Sequence, residues 1–344
     1  MQNQEHENYL FNSLIVNQSS SKKFLDEYKN HSLNYFDYFK QELLHKYENK
    51  KLTDISGSKI VDTGFGETLQ IVNKEKIDFK IIDNNFKNQI NQNLKLLPKV
   101  GIKTEKKLKS QGYDTIESLI NHAKYGKNAS FLLNQIDEMS FLELTNLLND
   151  NKYSKECRDN LIKSISLANM EDFKFMDIET LGLSNVPIIL IGVAEIKKNN
   201  IISTQYFLRS PEEELSVING YISHLDENSI HVTFNGKRFD VPFIRNRLNY
   251  HRLNLDFNLA HLDLLYFAKY LWKDSLPNCQ LQTIEKYKFG IERVNDVPGE
   301  YIPDYYNTYL INQNIGPVIP IIEHNKQDII SLADFLMKMY DEIN

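Results

Sequence analysis

The sequence is poor in cysteine, with only Cys157 and Cys279 among 344 residues. They lack paired-ligand spacing, so neither a disulfide framework nor a zinc site is indicated, and a reducing compartment is expected. Long apolar runs are missing too. The longest, around Val186 to Ala194, falls far short of a membrane span, and the initial MQNQEHENYLF has neither the basic nor the apolar region of a signal peptide. A cytoplasmic protein without membrane association is the expectation. Positive charge is in deficit, 40 basic against 46 acidic residues for a net −6, which argues against a surface that coats nucleic acid non-specifically. Any polyanion must be captured by a local patch. With 41% hydrophobic and 25% charged residues the chain is of ordinary globular type, long enough for about two domains.

The chemistry centres on FKFMDIETLGL, Phe173 to Leu183. Phe173, Phe175, Met176 and Ile178 favour a strand, in which Asp177 and Glu179 share one face while Ile178 points away. Two ionised carboxylates side by side repel, which raises a pKa or calls for a cation between them. A hard dication suits oxygen ligands, since Mg²⁺ and Mn²⁺ use a few carboxylates and leave positions for water and phosphate. The plain alternative is an exposed edge strand with two solvated acids. The strongly apolar strand that follows argues against it, because it puts the pair near the middle of a sheet.

Three segments are expected. Residues 1–90 read as a small α+β region: Phe24 to Tyr47 look helical, and Leu52 to Ile82 carry Gly57, Gly64 and Gly66 between short apolar runs, as hairpins do. Residues 91–168 read as helical. Within them NLKLLPKVGIKTEKKLKSQGYDTIESLI places a turn at Pro98 and Gly101, a helix over Leu108 whose first amide groups Thr104 can satisfy, a stop at Gly112 and a new start at Thr115. This stretch resembles a helix-hairpin-helix motif, with Lys99 where that family often has its first glycine. The resemblance implies that amides around Gly101 meet a phosphate, and Lys95, Lys99, Lys103, Lys106, Lys107 and Lys109 add positive charge. A purely structural hairpin with a solvated lysine face is the alternative. Ala168 to Asp172 is the linker candidate.

Residues 173–344 alternate strands and helices, an α/β pattern. Strands are expected at Phe173 to Glu179, Pro187 to Ile196, Thr204 to Arg209, Ile230 to Phe234 and Ala260 to Asp263, with helices from Pro211 to Leu225 and from Val241 to Tyr250. Three stretches bring further chemistry. TFNGKRFDVPFIRNR ends a strand at Asn235 and delivers Asp240 to the start of a helix. AHLDLLYFAKYLW puts Asp263 at a strand end, where a hydrogen-bonded terminus is the preferred reading. In PIIEHNKQDIISLADFLMKMY, Ile329, Leu332, Ala333 and Leu336 form one apolar helical face, and His324 and Asp328 lie one turn apart if both are helical. For Asp328 the alternative is a first-turn acid capped by Asn325. For His324 it is a structural histidine.

The order DIETLGL, FNGKRFD and HNKQD resembles the three motifs of the ribonuclease-H-like, DnaQ-type 3′ to 5′ exonucleases. More narrowly, HLDLLYFAKYLWKDSLPNCQLQTIEKY, GIERVNDVPGEYIP and EHNKQDIISLADFL resemble the YprB type of that superfamily, over essentially all of residues 173–344. The resemblance implies a mixed sheet flanked by helices, preceded by the α+β region and the helix-hairpin-helix domain. It also implies Asp177, Glu179, Asp240 and Asp328 as ligands of two Mg²⁺ or Mn²⁺ ions, and hydrolysis of phosphodiesters in nucleic acid, DNA favoured over RNA. In two-metal hydrolysis one ion activates the attacking water and the other stabilises the leaving oxygen. Better characterised branches have tyrosine four residues, or histidine five residues, before the last aspartate. This chain has His324 at the tyrosine spacing, where an imidazole suits general-base work. His231 and His261 match no motif position. Asn235, Lys237, Arg238, Arg245 and Arg247 lie where they can steer a nucleic-acid backbone. Tyrosines 301, 305, 306 and 309 are assigned to packing rather than base stacking. Three rivals stay open: an RNA exonuclease, a catalytically silent binding protein on the same fold, and a glycosidase, which also uses paired carboxylates but separates them across a sugar bond.

Overall fold

Strand-forming runs at Ser58–Asp62 (β1), Glu67–Lys76 (β2), Phe173–Thr180 (β3), Ile188–Lys197 (β4), Asn200–Phe207 (β5), Ile230–Thr233 (β6) and Ala260–Asp263 (β7) pair into one sheet in the order β1-β2-β5-β4-β3-β6-β7. In this computed structural model residues 35–81, 86–136, 138–149, 154–253, 255 and 258–343 are described; the start of the helix expected from Phe24 lies outside them. The first five strands of that order pair antiparallel, and β3, β6 and β7 run parallel. Parallel neighbours need crossover connections, and helices supply them. The architecture is a mixed α/β sheet flanked by helices. From Phe173 onward the elements follow the expected order. β4 is buried along nearly its whole length because both faces of the sheet are covered, whereas the short outer strand β1 is half exposed.

The helices are residues 35–46 (α1), Phe86–Asn91 (α2), Ile102–Ser110 (α3), Gly126–Ile136 (α4), Phe141–Asn149 (α5), Ser154–Lys163 (α6), Glu214–Ile222 (α7), Asp240–Tyr250 (α8), Leu264–Trp272 (α9), Leu281–Ile284 (α10), Ile302–Asn312 (α11) and Val318–Ile343 (α12). A single π-helical turn, Glu285–Phe289, continues α10. No described helix is long and apolar enough to cross a membrane. The face of α12 formed by Ile329, Leu332, Ala333 and Leu336 is buried in one core with Phe173, Phe175 and Val232.

Two expectations change place. The β1–β2 hairpin, expected in a region apart, pairs through β2 with the outer edge of β5, from Leu69 opposite Phe207 to Lys76 opposite Asn200. That edge would otherwise present a row of unpaired amides and carbonyls, and Leu69 and Ile71 are buried in the joint. The helical segment likewise shares the sheet's core, through Leu94, Leu108, Ile116 and Leu119. By contacts the chain forms two units, Met1–Lys51 with Val297–Ile321, and Leu52–Asp296 with Ile322–Asn344. In the first, Tyr305 donates to the Phe36 carbonyl at 2.7 Å and Lys40 pairs with Asp304. Tyr305, Tyr306 and Tyr309 are buried, as packing residues are.

At the hairpin resembling helix-hairpin-helix, Gly101 rather than Thr104 precedes α3, and no side chain caps it. Lys99 takes φ = 65°, the left-handed conformation usually left to glycine, at a cost of roughly 1–2 kcal/mol. Lys99, Lys103 and Lys107 are exposed, while Lys95 is tied to Glu105 at 2.7 Å.

Candidate active site

Asp177 and Glu179 lie on β3, the strand between β4 and β6, so the middle of the sheet is where they meet the other acids. The β3–β4 pairing shifts register at Glu179 and Thr180, a bulge of the kind that re-aims a side chain. Asp240, the first residue of α8, accepts at Oδ1 from the Ile178 amide at 3.2 Å, which ties the helix start to β3. The preceding loop turns at Asn235, φ = 70°. Asp263 fixes that loop by accepting from the Asn235 amide at 2.8 Å and the Lys237 amide at 3.2 Å, while also capping α9 through Leu265. Asp263 is therefore the hydrogen-bonded strand terminus that the sequence suggested.

Asp328 sits well inside α12, since the helix starts at Val318. The reading of a first-turn acid capped by Asn325 is thereby corrected. Asn325 is fully buried and its amide donates to Asp177 Oδ2 at 2.9 Å, while its own Oδ1 accepts from Gln205 at 2.9 Å. Room for this comes from Gly192, paired with Asp177 across the strands: a Cβ there would lie 2.1 Å from Asn325 Oδ1. Arg293 donates to Asp328 Oδ1 and, through two bonds of 2.7 Å, to the buried Glu285. Ser331 adds a bond to Glu285. His324 is helical, as Asp328 is; its Nε2 lies 3.8 Å from both Glu179 Oε1 and Asp328 Oδ2, and its Nδ1 lies 2.7 Å from Asp296 Oδ1.

Burial raises all four carboxyl pKa values, and the acids reinforce one another. Asp177 is pushed well up, first by burial and then by Asp328, Glu179 and Asp240. Glu179 rises to about 8 by burial, against the opposing pull of His324. Asp240 rises to about 7 by burial, opposed by its own amide and that of Ile178. Asp328 rises by burial, opposed by His324 and Arg293. Burial disfavours the charged His324 ring, yet Asp296, Asp328 and Glu179 together push it up to about 9. Among the described residues no group of three or more His, Cys, Asp or Glu side chains is arranged to hold a metal ion. The donor chemistry nevertheless fits a hard dication: four carboxylates, two buried and two half-buried, that raise one another's pKa offer oxygens and need positive charge.

Other expected residues divide. Arg238 is exposed and borders a cavity of about 360 Å³ that is also lined by Leu183, Asn185, Phe239, Phe243 and Tyr250. Asn235 is half-buried, and Arg245 is exposed. Arg247 is not free to steer a backbone, because it is buried and holds Glu214 through bonds of 2.7 and 2.5 Å. His231 and His261 bond Tyr221 and Thr233, and burial lowers their pKa values to about 4 and about 2. They are neutral structural groups. The sequence reading does not reach the contact of Asn325 with Asp177, nor Gly192, Arg293 or Asp296. A glycine inside the run ILIGVAEI is the kind of signal that marks a close approach.

Residues 174–340 match the RNase_H superfamily. The chain is 32% identical over 180 residues to uncharacterized protein YprB of Bacillus subtilis (strain 168), across 51% of this chain and 43% of that protein. It is 27% identical over 150 residues to a DNA polymerase III of the PolC type from Caldanaerobacter subterraneus, across 37% of this chain and 10% of that one. The chain thus spans less than half the length of either relative.

Proposed function

Given that residues 174–340 are a ribonuclease H superfamily domain, we propose that the protein is a metal-dependent nuclease, a 3′ to 5′ exonuclease that hydrolyses DNA by a two-metal mechanism. The observation that carries this reading is the meeting of four carboxylates from β3, α8 and α12, Glu179 and Asp240 buried and Asp177 and Asp328 half-buried, whose pKa values are raised together. Asp177, Glu179, Asp240 and Asp328 would hold two Mg²⁺ or Mn²⁺ ions. When bound, such ions activate water and stabilise charge on the reacting phosphate. The chain's own part is positioning and proton transfer. Asn325 fixes Asp177, the Ile178 amide fixes Asp240, and Arg293 fixes Asp328. With cations at the acids lowering the pKa of its ring, a neutral His324, whose Nε2 lies between Glu179 and Asp328, would take the proton of the attacking water.

Arg238 and Asn235 guide the strand, and the cavity beside Arg238 receives part of it. Exposed Lys99, Lys103 and Lys107, with Gly101 and Thr104, grip phosphates at a distance from the chemistry, with residues 91–168 as a helix-hairpin-helix module. The PolC-type relative is a DNA polymerase by name, which favours DNA over RNA. The test is cleavage of 5′-end-labelled single-stranded DNA, duplex DNA and RNA in Mg²⁺ or Mn²⁺ and in EDTA. Stepwise shortening of DNA from the 3′ end, abolished by EDTA, is the expected outcome. Metal-independent cleavage, or no cleavage of any substrate, would overturn the reading.

A further inference from the structure

Asp296 lies in the segment between the π-helical turn and α11, far in sequence from the acids, yet it reaches the site. Its two carboxylate oxygens are separately engaged. Oδ1 lies 2.7 Å from His324 Nδ1, and Oδ2 accepts from Gln282 at 2.6 Å, with Arg293 Nη1 at 3.6 Å. Asp296 and His324 side chains are both largely buried, at 13% and 11% exposure, so water does not compete freely for the contact. An ionised carboxylate can only accept, so the His324 nitrogen facing it carries a proton. In the neutral ring the other nitrogen, Nε2, then has its lone pair free, and it points at Glu179 and Asp328.

We infer that Asp296 is a positioning residue: held by Gln282, it fixes the ring plane and tautomer of His324 so that Nε2 is the accepting nitrogen at the acid cluster. The inference rests on the nuclease reading for the meaning of that nitrogen, but not for the geometry. Without Asp296 the ring is free to rotate and to adopt the Nε2–H form, which cannot accept a proton where one is released. The partner thus acts on the proton-transfer step and leaves substrate contacts alone. Outer partners that orient a working group typically contribute about 10- to 100-fold.

Two readouts test it. Long-range ¹⁵N–¹H spectra of the histidine rings, taken along a pH series into the range where the His324 ring is seen to be neutral, should give the Nδ1–H tautomer for wild type. Asp296→Asn, which keeps an accepting oxygen, should give the same. Asp296→Ala should shift His324 to the Nε2–H form. In steady-state cleavage Asp296→Ala should lower kcat by about 10- to 100-fold with KM nearly unchanged, and should cost less than about twofold when added to His324→Ala. An Nε2–H ring in wild type, which needs no variant to observe, would overturn the inference. So would an equal Asp296→Ala loss with and without His324. An Nδ1–H ring in a protein that cleaves no nucleic acid would uphold the positioning and remove the nuclease reading, so the two failures are distinct.

Discussion

The two ends of β3 present buried charge in opposite ways. At its start Lys174 meets Glu195 of β4 at 2.6 Å, and His224 adds a second contact at 3.0 Å. Glu195 is buried, which disfavours its charge, yet His224 and Lys174 outweigh that and hold its pKa down at about 2. Three residues further on, Asp177 and Glu179 face Asp240 and Asp328, with His324 and Arg293 as the nearby cationic partners, and Glu179 rises to about 8. One strand therefore carries a charge cluster that is complete within the chain and another that is short of positive charge. The first is architecture. The second would be balanced by the dications of the proposed function, which would also hold a phosphodiester.

The largest effect expected from breaking the comparison is at the acidic end. Asp177→Asn keeps the Asn325 contact possible and removes the charge, so the folded protein should lose at least about a thousandfold in cleavage rate, about 4 kcal/mol. Single-turnover assays with Mg²⁺, beside a thermal melt showing an intact fold, check it. At the paired end the pattern should invert. Glu195→Gln leaves Lys174 buried without its main counter-charge, and should destabilise by about 3 kcal/mol in urea titrations while turnover per folded molecule stays unchanged. A loss of activity instead would mean that the two ends are not separate.

Gly192 links the two, since β4 carries both Glu195 and this glycine. Gly192→Ala puts a methyl group where Asn325 Oδ1 lies, so the amide must withdraw from Asp177. About 2 kcal/mol of stability and about tenfold in rate should go together, measured by melting and by kcat. The smallest effects sharpen the contrast through pH, with EDTA present. Glu179 binds its proton more tightly folded, at about 8 against 4.5, so its contribution is full below 4.5 and is lost as pH rises toward 8. Glu195 binds its proton less tightly folded, at about 2 against 4.5, so its contribution is present above 4.5 and is lost as pH falls toward 2. Tm profiles should show Glu179→Gln reducing the decline on the alkaline side, which Asp177, Asp240 and Asp328 share, and Glu195→Gln reducing the one on the acid side, each by a few degrees.

Much of this was legible in the sequence, and for local reasons. The alternation in FKFMDIET puts Asp177 and Glu179 on one face whatever lies beyond, and the spacing of His324 and Asp328 needs only a helix. The expected strands from Phe173 onward lie where β3 to β7 are found, within a few residues. The docking of β2 on β5 has no local signature, because pairing over more than a hundred residues depends on which edge is left open. The capping role read for Asn325 would make it the residue before the helix, and α12 does not start there. Pro320 instead fits the first turn of α12, where no intrahelical bond is lost. Asp296 could not be connected to His324 without the fold, since nothing in VNDVPG specifies which histidine it meets.

The central claim, that the acidic end of β3 completes its charge with dications, is tested most directly by isothermal titration of Mn²⁺ into metal-free wild type, Asp177→Asn and Glu195→Gln proteins. The account predicts saturable binding by wild type and Glu195→Gln and its loss in Asp177→Asn. No binding to folded wild-type protein, or binding undiminished in Asp177→Asn, would contradict it.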